Sequence, residues 1–216
     1  QKYHVIPTPR IGGLAIFSSF AIVVLVSHML NLSDNYDLGM LLSALLVFLV
    51  GFIEDITKRV SPFMRLNVFV IAALVAVYLT GSLPAITYAD FGPLERLIHY
   101  FPLIGLILSL YCVVGLTNAY NIIDGYNGLS STAAIINMVG LVILAFYVND
   151  TSVARVSLSF VAAILGFWLF NYPRGKIFLG DGGAYFIGFI IAVLSIYLIH
   201  THKGSISPYA VLLMSI

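Results

Sequence analysis

Residues Ala184–His200 read AYFIGFIIAVLSIYLIH, an apolar run that contains no Asp, Glu, Lys or Arg. A helix that crosses a membrane needs about 20 mainly apolar residues, because the hydrocarbon core is about 30 Å thick and each residue rises about 1.5 Å. Six further runs meet this criterion: Leu14–Leu30, Leu38–Ile53, Leu66–Gly81, Phe101–Ala119, Leu129–Val148 and Val153–Tyr172. The runs are continuous rather than alternating, which predicts helices and not the strands of a membrane barrel.

The overall composition supports a membrane protein. Of the 216 residues, 61% are hydrophobic and 9% are charged, whereas a soluble domain carries about 25% charged residues. We therefore predict an all-α, polytopic membrane helix bundle with seven complete spans and the start of an eighth near Pro208. The formal net charge of +1 gives no reason to expect nucleic acid as a partner. The lone Cys112 excludes a disulfide scaffold.

Alternating the spans assigns each connecting segment to one side of the membrane. One side receives segments 1–13, 54–65, 120–128 and 173–183, and the other receives 31–37, 82–100, 149–152 and 201–207. The first side holds Lys2, Arg10, Lys58, Arg59, Arg65, Arg174 and Lys176; the second holds Arg96, Arg155 and Lys203. The positive-inside rule makes the first side cytoplasmic. On the second side, residues 83–93 are punctuated by Pro and Gly and predict a short extended segment or hairpin.

The end of the second span carries adjacent carboxylates, Glu54 and Asp55, followed by Lys58. Neighbouring helical positions point about 100° apart, so the two carboxylates are expected to do different jobs. One could face a metal or a phosphate while the other orients Lys58 or Arg65. The alternative from the residues alone is a solvated helix end with local salt bridges.

The segment after the fourth complete span repeats a polar residue every third position. Asn118, Asn121, Asp124 and Asn127 would stack along one slowly rotating helix face, which suits the hydrogen-bonding edges of a base or a sugar. A polar stripe of this kind could instead join two helices.

Asp181 stands between glycines at the start of the last complete span. It is placed either to cap that helix or to reach a divalent metal. The helix amides beside Arg174 and Lys176 also suit a phosphate. Arg10, in a basic first segment that ends in twin glycines, favours an anionic substrate or a membrane-surface anchor. Together the segments favour phosphoryl transfer assisted by Mg²⁺.

Four motifs, taken together, resemble the polyprenyl-phosphate N-acetylhexosamine-1-phosphate transferase superfamily over essentially the whole chain. They are Pro7-Thr-Pro-Arg-Ile-Gly-Gly13, Glu54-Asp55 with Ser61-Pro62 and Arg65-Leu66, Asn118-x-x-Asn121-x-x-Asp124-Gly-x-Asn-Gly-Leu129, and Phe178-Leu-Gly-Asp181-Gly. The resemblance implies transfer of an N-acetylamino sugar-1-phosphate from a UDP-sugar to polyprenyl (undecaprenyl) phosphate with release of UMP. It further implies a bacterial inner membrane location and a role in starting a cell-envelope glycan, such as the O-antigen of lipopolysaccharide.

The same resemblance implies roles for individual residues. Asp181 would be the main ligand of Mg²⁺ (Mn²⁺ being the alternative ion), with Asp55 as a second metal residue. Glu54 and Asp55 would handle the lipid phosphate and the metal-pyrophosphate, Asn121 and Asp124 would contact the uridine, and Phe178 would stack near the uracil. Arg10, Lys58, Asn118 and Asn127 complete the expected substrate-binding set.

Two positions depart from the superfamily pattern: Glu54 stands where Asp is usual, and Asn127 replaces a second Asp found in many members. The first weakens the assignment of Glu54 as a base, and the second hints at a different sugar or a subgroup variation rather than loss of activity. We expect one transmembrane catalytic domain over residues 1–216, truncated at both ends and of little activity alone, with a homodimer as one candidate assembly. The competing functions are a CDP-alcohol phosphotransferase, whose hallmark motif the sequence lacks, and a transporter or lipid flippase.

Overall fold

The computed structural model describes residues 8–32, 35–80 and 90–215. Lys2 and His4 of the basic first segment lie outside these ranges, as does most of the predicted hairpin at 83–93. In chain order the helices are α1 (Gly12–Met29), α2 (Asn35–Thr57), α3 (Pro62–Thr80), α4 (Gly92–Tyr100), α5 (Pro102–Ile123), α6 (Leu129–Tyr147), α7 (Thr151–Asn171), α8 (Gly180–Thr201) and α9 (Pro208–Ser215).

Seven of the helices in the described ranges, all except α4 and α9, are long and apolar enough to cross a membrane. They coincide with the seven predicted spans, and α9 begins at the Pro208 predicted to open an eighth. The chain is therefore a multi-pass, all-α membrane protein, as predicted. Several helices extend past the apolar runs. Helix α2 continues through Glu54 and Asp55, α5 through Asn121, and α8 begins early enough to include Asp181.

Helix α8 is the centre of the bundle. It is buried along almost its whole length and packs against α1, α2, α5 and α6, among others. A helix that is apolar on every side is expected in this position. Phe186 marks the packed core: its ring lies edge-on to Phe17 of α1 and to Phe160 of α7, with centroids 5.2 Å away in both cases.

Glycines bring two helices unusually close to the start of α8. A Cβ added to Gly13 of α1 would lie 2.4 Å from the backbone nitrogen of Gly183, and one added to Gly51 of α2 would lie 2.6 Å from the backbone of Gly182. Small residues permit this close approach of membrane helices. The ends of α1 and α2 are thereby held against the turn of α8 that carries Asp181.

One connecting segment differs from the prediction. Residues 82–100 were assigned to a loop, but their second half forms α4, which begins at Gly92 with Pro93 in its first turn and buries Ile98. Proline is favoured in the first turn of a helix, and nine residues are too few to cross the hydrocarbon core. The hydropathy criterion for spans therefore could not detect this helix.

Candidate active site

The first and last polar segments are joined directly by backbone hydrogen bonds. The N–H of Phe178 donates to the carbonyl oxygen of Pro9 at 2.9 Å, and the N–H groups of Gly12 and Gly13 donate to Phe178 and Leu179 at 2.9 and 2.8 Å. Residues about 170 positions apart in the chain are thus paired at one end of the bundle. The C-terminal ends of α2, α5 and α7 reach the same end.

Asp181 lies in the first turn of α8, and its Oδ1 accepts a hydrogen bond of 3.0 Å from Nδ2 of Asn121 on α5. The N-cap position is occupied by Leu179, which offers no side-chain cap. Of the two roles left open by the sequence, the plain N-cap is therefore excluded. The Asp181 side chain instead lines a cavity.

Asp55 supplies the cap for the first turn of α8 from another helix. Its side chain is 5% exposed, and Oδ2 accepts a hydrogen bond of 3.0 Å from the N–H of Gly182. Oδ1 lies 3.6 Å from Nζ of Lys58 and 3.9 Å from a guanidinium nitrogen of Arg10. Oδ1 is buried and accepts no hydrogen bond from the described residues, so the two cations are its neighbours there.

Glu54 and Asp55 have different partners, as their offset on the helix predicts. Oε2 of Glu54 accepts a hydrogen bond of 2.7 Å from the N–H of Val60 and so closes the turn after α2. Arg65, which the sequence suggested as a partner of one carboxylate, donates to the hydroxyl of Tyr185 on α8. A catalytic role for Glu54 stays a prediction.

A cavity of about 270 Å³ opens where these segments meet. Its walls include most of the predicted substrate and metal residues, namely Arg10, Asn121, Asp124, Asn127, Phe178 and Asp181, together with Asn171. Asp55 and Lys58 adjoin it through Arg10. Asn118 is exposed on α5 and does not line the cavity.

The expected polar stripe is only partly helical. Helix α5 ends at Ile123, so Asn118 and Asn121 share it, whereas Asp124 is its C-cap and Asn127 lies in the following turn. Gly125 and Gly128 disfavour continuation of the helix, and Gly128 adopts the left-handed conformation with φ of 80°. The prediction of one continuous helix face was wrong. The turn nonetheless brings Asp124 and Asn127 to the cavity, with Asn127 donating to the carbonyl of Pro173 at 3.3 Å.

The site carries concentrated negative charge. Burial raises the pKa of Asp124 to about 7, with Asp181 and Asp55 adding to the rise and Arg10 opposing it. A buried carboxyl that faces two other carboxylates ionises reluctantly unless a cation joins them. Arg10 and Lys58 already lie beside Asp55, and a further cation held by the three carboxylates would lower the pKa of Asp124.

The oxygen groups at the site suit an ion such as Mg²⁺, which takes only part of its ligands from protein, better than an ion held entirely by protein ligands. Among the described residues, no group of three His, Cys, Asp or Glu could enclose a metal. Mg²⁺ commonly takes one or two carboxylates and completes its shell with water and substrate phosphates. The carboxylates of Asp181 and Asp55 are groups that could hold an ion in that way.

The sequence analysis overlooked Asn171, the last residue of α7. It is 5% exposed, lines the cavity and hydrogen-bonds to the two neighbouring segments. The available signal was a single amide at the end of an otherwise apolar span. Because such residues also join helices, that signal alone did not distinguish Asn171.

The sequence also resembles known proteins. Residues 37–199 match the sequence model of glycosyl transferase family 4. Among similar proteins, a phospho-N-acetylmuramoyl-pentapeptide-transferase of Streptococcus mutans is 30% identical over 206 residues, covering 88% of this chain and 59% of the relative. The corresponding protein of Streptococcus thermophilus is 26% identical over 204 residues, with the same coverage.

A third relative comes from Bacillus subtilis and is named a probable undecaprenyl-phosphate N-acetylglucosaminyl 1-phosphate transferase. It is 28% identical over 201 residues, covering 91% of this chain and 53% of the relative. The chain thus spans less than two thirds of the length of these proteins. Because the family model matches most of the chain, including the ends of α2, α5 and α8 that build the cavity, the chain belongs to glycosyl transferase family 4.

Proposed function

We propose that the protein transfers a sugar-1-phosphate, of an N-acetylamino sugar in particular, from a UDP-sugar to polyprenyl phosphate and releases UMP. The observation that carries the proposal is the meeting of Asp181, Asn121 and Asp124 in one cavity, beside Asp55 with its two cations. Relatives in the same family are named for transfer to undecaprenyl phosphate or of phospho-N-acetylmuramoyl-pentapeptide.

Asp181 and Asp55 would hold Mg²⁺ (or Mn²⁺) at the metal end of the site. When bound, the ion would neutralise the pyrophosphate and the departing UMP. Asn121 fixes the orientation of Asp181 through the 3.0 Å hydrogen bond. Asp55 fixes the first turn of α8 by capping it. The carboxylates are therefore held in place before substrate enters.

The nucleotide end would be the cavity between Asp124, Asn127 and Phe178. Carboxylate and amide groups suit the hydroxyls of a ribose and the polar edge of uracil, and the aromatic ring of Phe178 offers a stacking surface. Arg10 and Lys58 lie at the anionic end, and both are about half exposed. They are placed to attract the phosphates of both substrates.

In the proposed reaction an oxygen of polyprenyl phosphate attacks the β-phosphorus of the UDP-sugar. A P–O bond forms between the lipid phosphate and the sugar phosphate, while the bond from the β-phosphorus to the bridging oxygen breaks. The bridging oxygen leaves with UMP. Placement of the site on the cytoplasmic side is supported by the seven-to-three distribution of Lys and Arg in the sequence.

A transporter or flippase is less well supported. Such proteins place their polar binding residues near the middle of the membrane in interrupted helices. Here the carboxylates and amides of the site lie at the ends of α2 and α5 and at the start of α8. A site of this kind meets water-soluble substrate at the surface of the bundle.

The decisive experiment is incubation of the full-length protein with undecaprenyl phosphate, Mg²⁺ and a panel of UDP-sugars, with UMP and the lipid product both quantified. Equal amounts of UMP and glycosyl-diphospholipid from one donor are expected, and chelation of the metal should stop the reaction. Translocation of a labelled lipid without UMP release from any donor would overturn the proposal in favour of a flippase.

A further inference from the structure

The C-terminal end of α7 carries a buried amide side chain, that of Asn171. Asn171 lies between two segments that each form a wall of the cavity: residues 124–128, with Asp124 and Asn127, and residues 173–179, with Phe178. We infer that Asn171 is a positioning residue that sets the spacing of these walls and thereby the affinity for the nucleotide. The inference rests on the function proposed above.

Both halves of the Asn171 amide are used. Its Oδ1 accepts from the backbone N–H of Gly128, and its Nδ2 donates to the carbonyl oxygen of Ile177 at 2.8 Å. Gly128 is itself buried, so its N–H would lose its partner if the amide were removed. A buried donor without a partner is costly. The side chain therefore ties the two walls together.

The geometry around Gly128 leaves little freedom for another arrangement. Gly128 has φ of 80°, and a Cβ at this position would lie 2.8 Å from the ring of Tyr172. Only glycine tolerates that combination of backbone conformation and close contact. The turn that precedes α6 is thus shaped to bring its N–H to Asn171.

The metal end is anchored independently of Asn171. Asp181 is held by Asn121, and the first turn of α8 is capped by Asp55. Loss of the Asn171 amide should therefore displace the two cavity walls, residues 124–128 and 173–179, more than it displaces Asp181 and Asp55. Because the interaction lost is one of binding, KM for the UDP-sugar should rise while kcat changes much less.

The test compares Asn171→Ala and Asn171→Asp with wild type in the full-length protein. The Asp variant keeps an acceptor for Gly128 but cannot donate to Ile177 when ionised. Asn137→Ala is the control, because that amide also joins two helices, through a 2.6 Å hydrogen bond to the hydroxyl of Tyr120, but does not line the cavity. The measurements are kcat and KM for the UDP-sugar, and the Kd of UMP in the absence of lipid substrate.

We expect KM and the Kd of UMP to rise roughly tenfold in Asn171→Ala, the size of change that loss of a buried hydrogen-bonding partner produces. Asn171→Asp should show a rise as well, and Asn137→Ala none. Unchanged KM and Kd in both Asn171 variants, with wild type active, would overturn this inference alone. Failure of both variants to fold would also overturn it, since Asn171 would then support the whole bundle. Absence of UMP binding and of turnover in wild type would overturn it together with the proposed function.

Discussion

Asp55 reaches from the last turn of α2 to the first turn of α8, where its Oδ2 accepts a 3.0 Å hydrogen bond from the N–H of Gly182. The first N–H groups of a helix have no partner within the helix, and a carboxylate is well suited to them because the helix dipole places partial positive charge there. The neighbouring residue Asp181 is therefore not needed as a cap and can turn toward the cavity. Asp55 thus caps α8, while Asp181 lines the cavity.

Gly180→Ala is expected to disrupt this capping. Gly180 has φ of 78°, and an added Cβ would lie 2.6 Å from Oδ2 of Asp55. We expect a loss of about 1–3 kcal/mol in the free energy of unfolding from the backbone strain, with a lower rate of UMP release. Thermal unfolding in detergent and an activity assay would measure both effects.

Gly166→Ala in α7 is the matched control for this substitution. A Cβ there meets no atom within 4 Å, and alanine in a helix interior is favoured over glycine by about 0.5–1 kcal/mol. The free energy of unfolding of Gly166→Ala should equal or exceed that of wild type. If Gly180→Ala behaved like Gly166→Ala, the contact between Asp55 and the start of α8 would not constrain the site.

Much of the fold and the meeting of the polar segments could be predicted from the sequence. Hydropathy locates the spans because crossing a bilayer demands long apolar helices. Alternation of sides then puts Asp55, Asp124 and Asp181 at one end of the bundle. Hydropathy does not locate the ends of a helix outside the hydrocarbon core, because backbone hydrogen bonding continues past the apolar residues. For this reason the apolar runs place the end of the second span at Ile53 and the start of the seventh at Ala184, whereas α2 continues to Thr57 and α8 begins at Gly180.

Individual hydrogen-bond partners were also beyond prediction. The capping of Gly182 by Asp55 and the bridge made by Asn171 join residues far apart in the chain. The capping depends on close packing of α2 against α8, which Gly51 and Gly182 allow. A motif names the residue types at a site, but the three-dimensional packing decides which of them touch.

Asp181→Asn should remove metal-dependent turnover while leaving the protein folded. The amide of the new side chain keeps an oxygen to accept from Asn121, so the 3.0 Å contact can persist. The negative charge that would hold Mg²⁺ is lost. Since a metal supplies several kcal/mol of transition-state stabilisation, UMP release should fall by on the order of 10³-fold.

Asp90→Asn is the control for this charge change, because Asp90 lies on the opposite side of the bundle and its carboxylate accepts from Ser207. Its turnover should match that of wild type. Turnover at the wild-type rate by Asp181→Asn, measured as UMP released per folded protein, would remove Asp181 from the proposed metal site.

The raised pKa of Asp124 predicts a pH-dependent stability in the absence of metal. The pKa of Asp124 is about 7 in the folded chain, through burial first and then the charges of Asp181 and Asp55, against about 3.9 for an exposed aspartate. The unfolded chain therefore releases this proton first. The stability that neutral Asp124 provides is fully present below about pH 4, falls as the pH rises from 4 to 7, and is gone above 7.

The variant Asp124→Asn should lack this pH-dependent contribution to the free energy of unfolding, because an amide does not titrate. In chelator-treated protein, the melting temperature of the variant relative to wild type should increase steadily from pH 4 to pH 7 and then level off. Thermal unfolding of both proteins at a series of pH values, followed by intrinsic fluorescence, would give the comparison. Parallel curves for the two proteins across that range would contradict the raised pKa.

At the opposite end of the bundle, an ion pair is expected to support the fold without taking part in the reaction. Asp37 of α2 is 2% exposed, and its Oδ2 lies 2.8 Å from Nη2 of Arg155 on α7. Arg155→Ala would leave a buried carboxylate without its cation, which costs about 3–5 kcal/mol. The melting temperature should therefore drop sharply, whereas Arg96→Ala, at an exposed position, should leave it unchanged.

Adding Asp37→Asn to Arg155→Ala should recover part of the loss, because the buried charge is then removed. At temperatures where the single variant is folded, its KM for the UDP-sugar should equal that of wild type; a raised KM would mean that the two ends of the bundle are coupled.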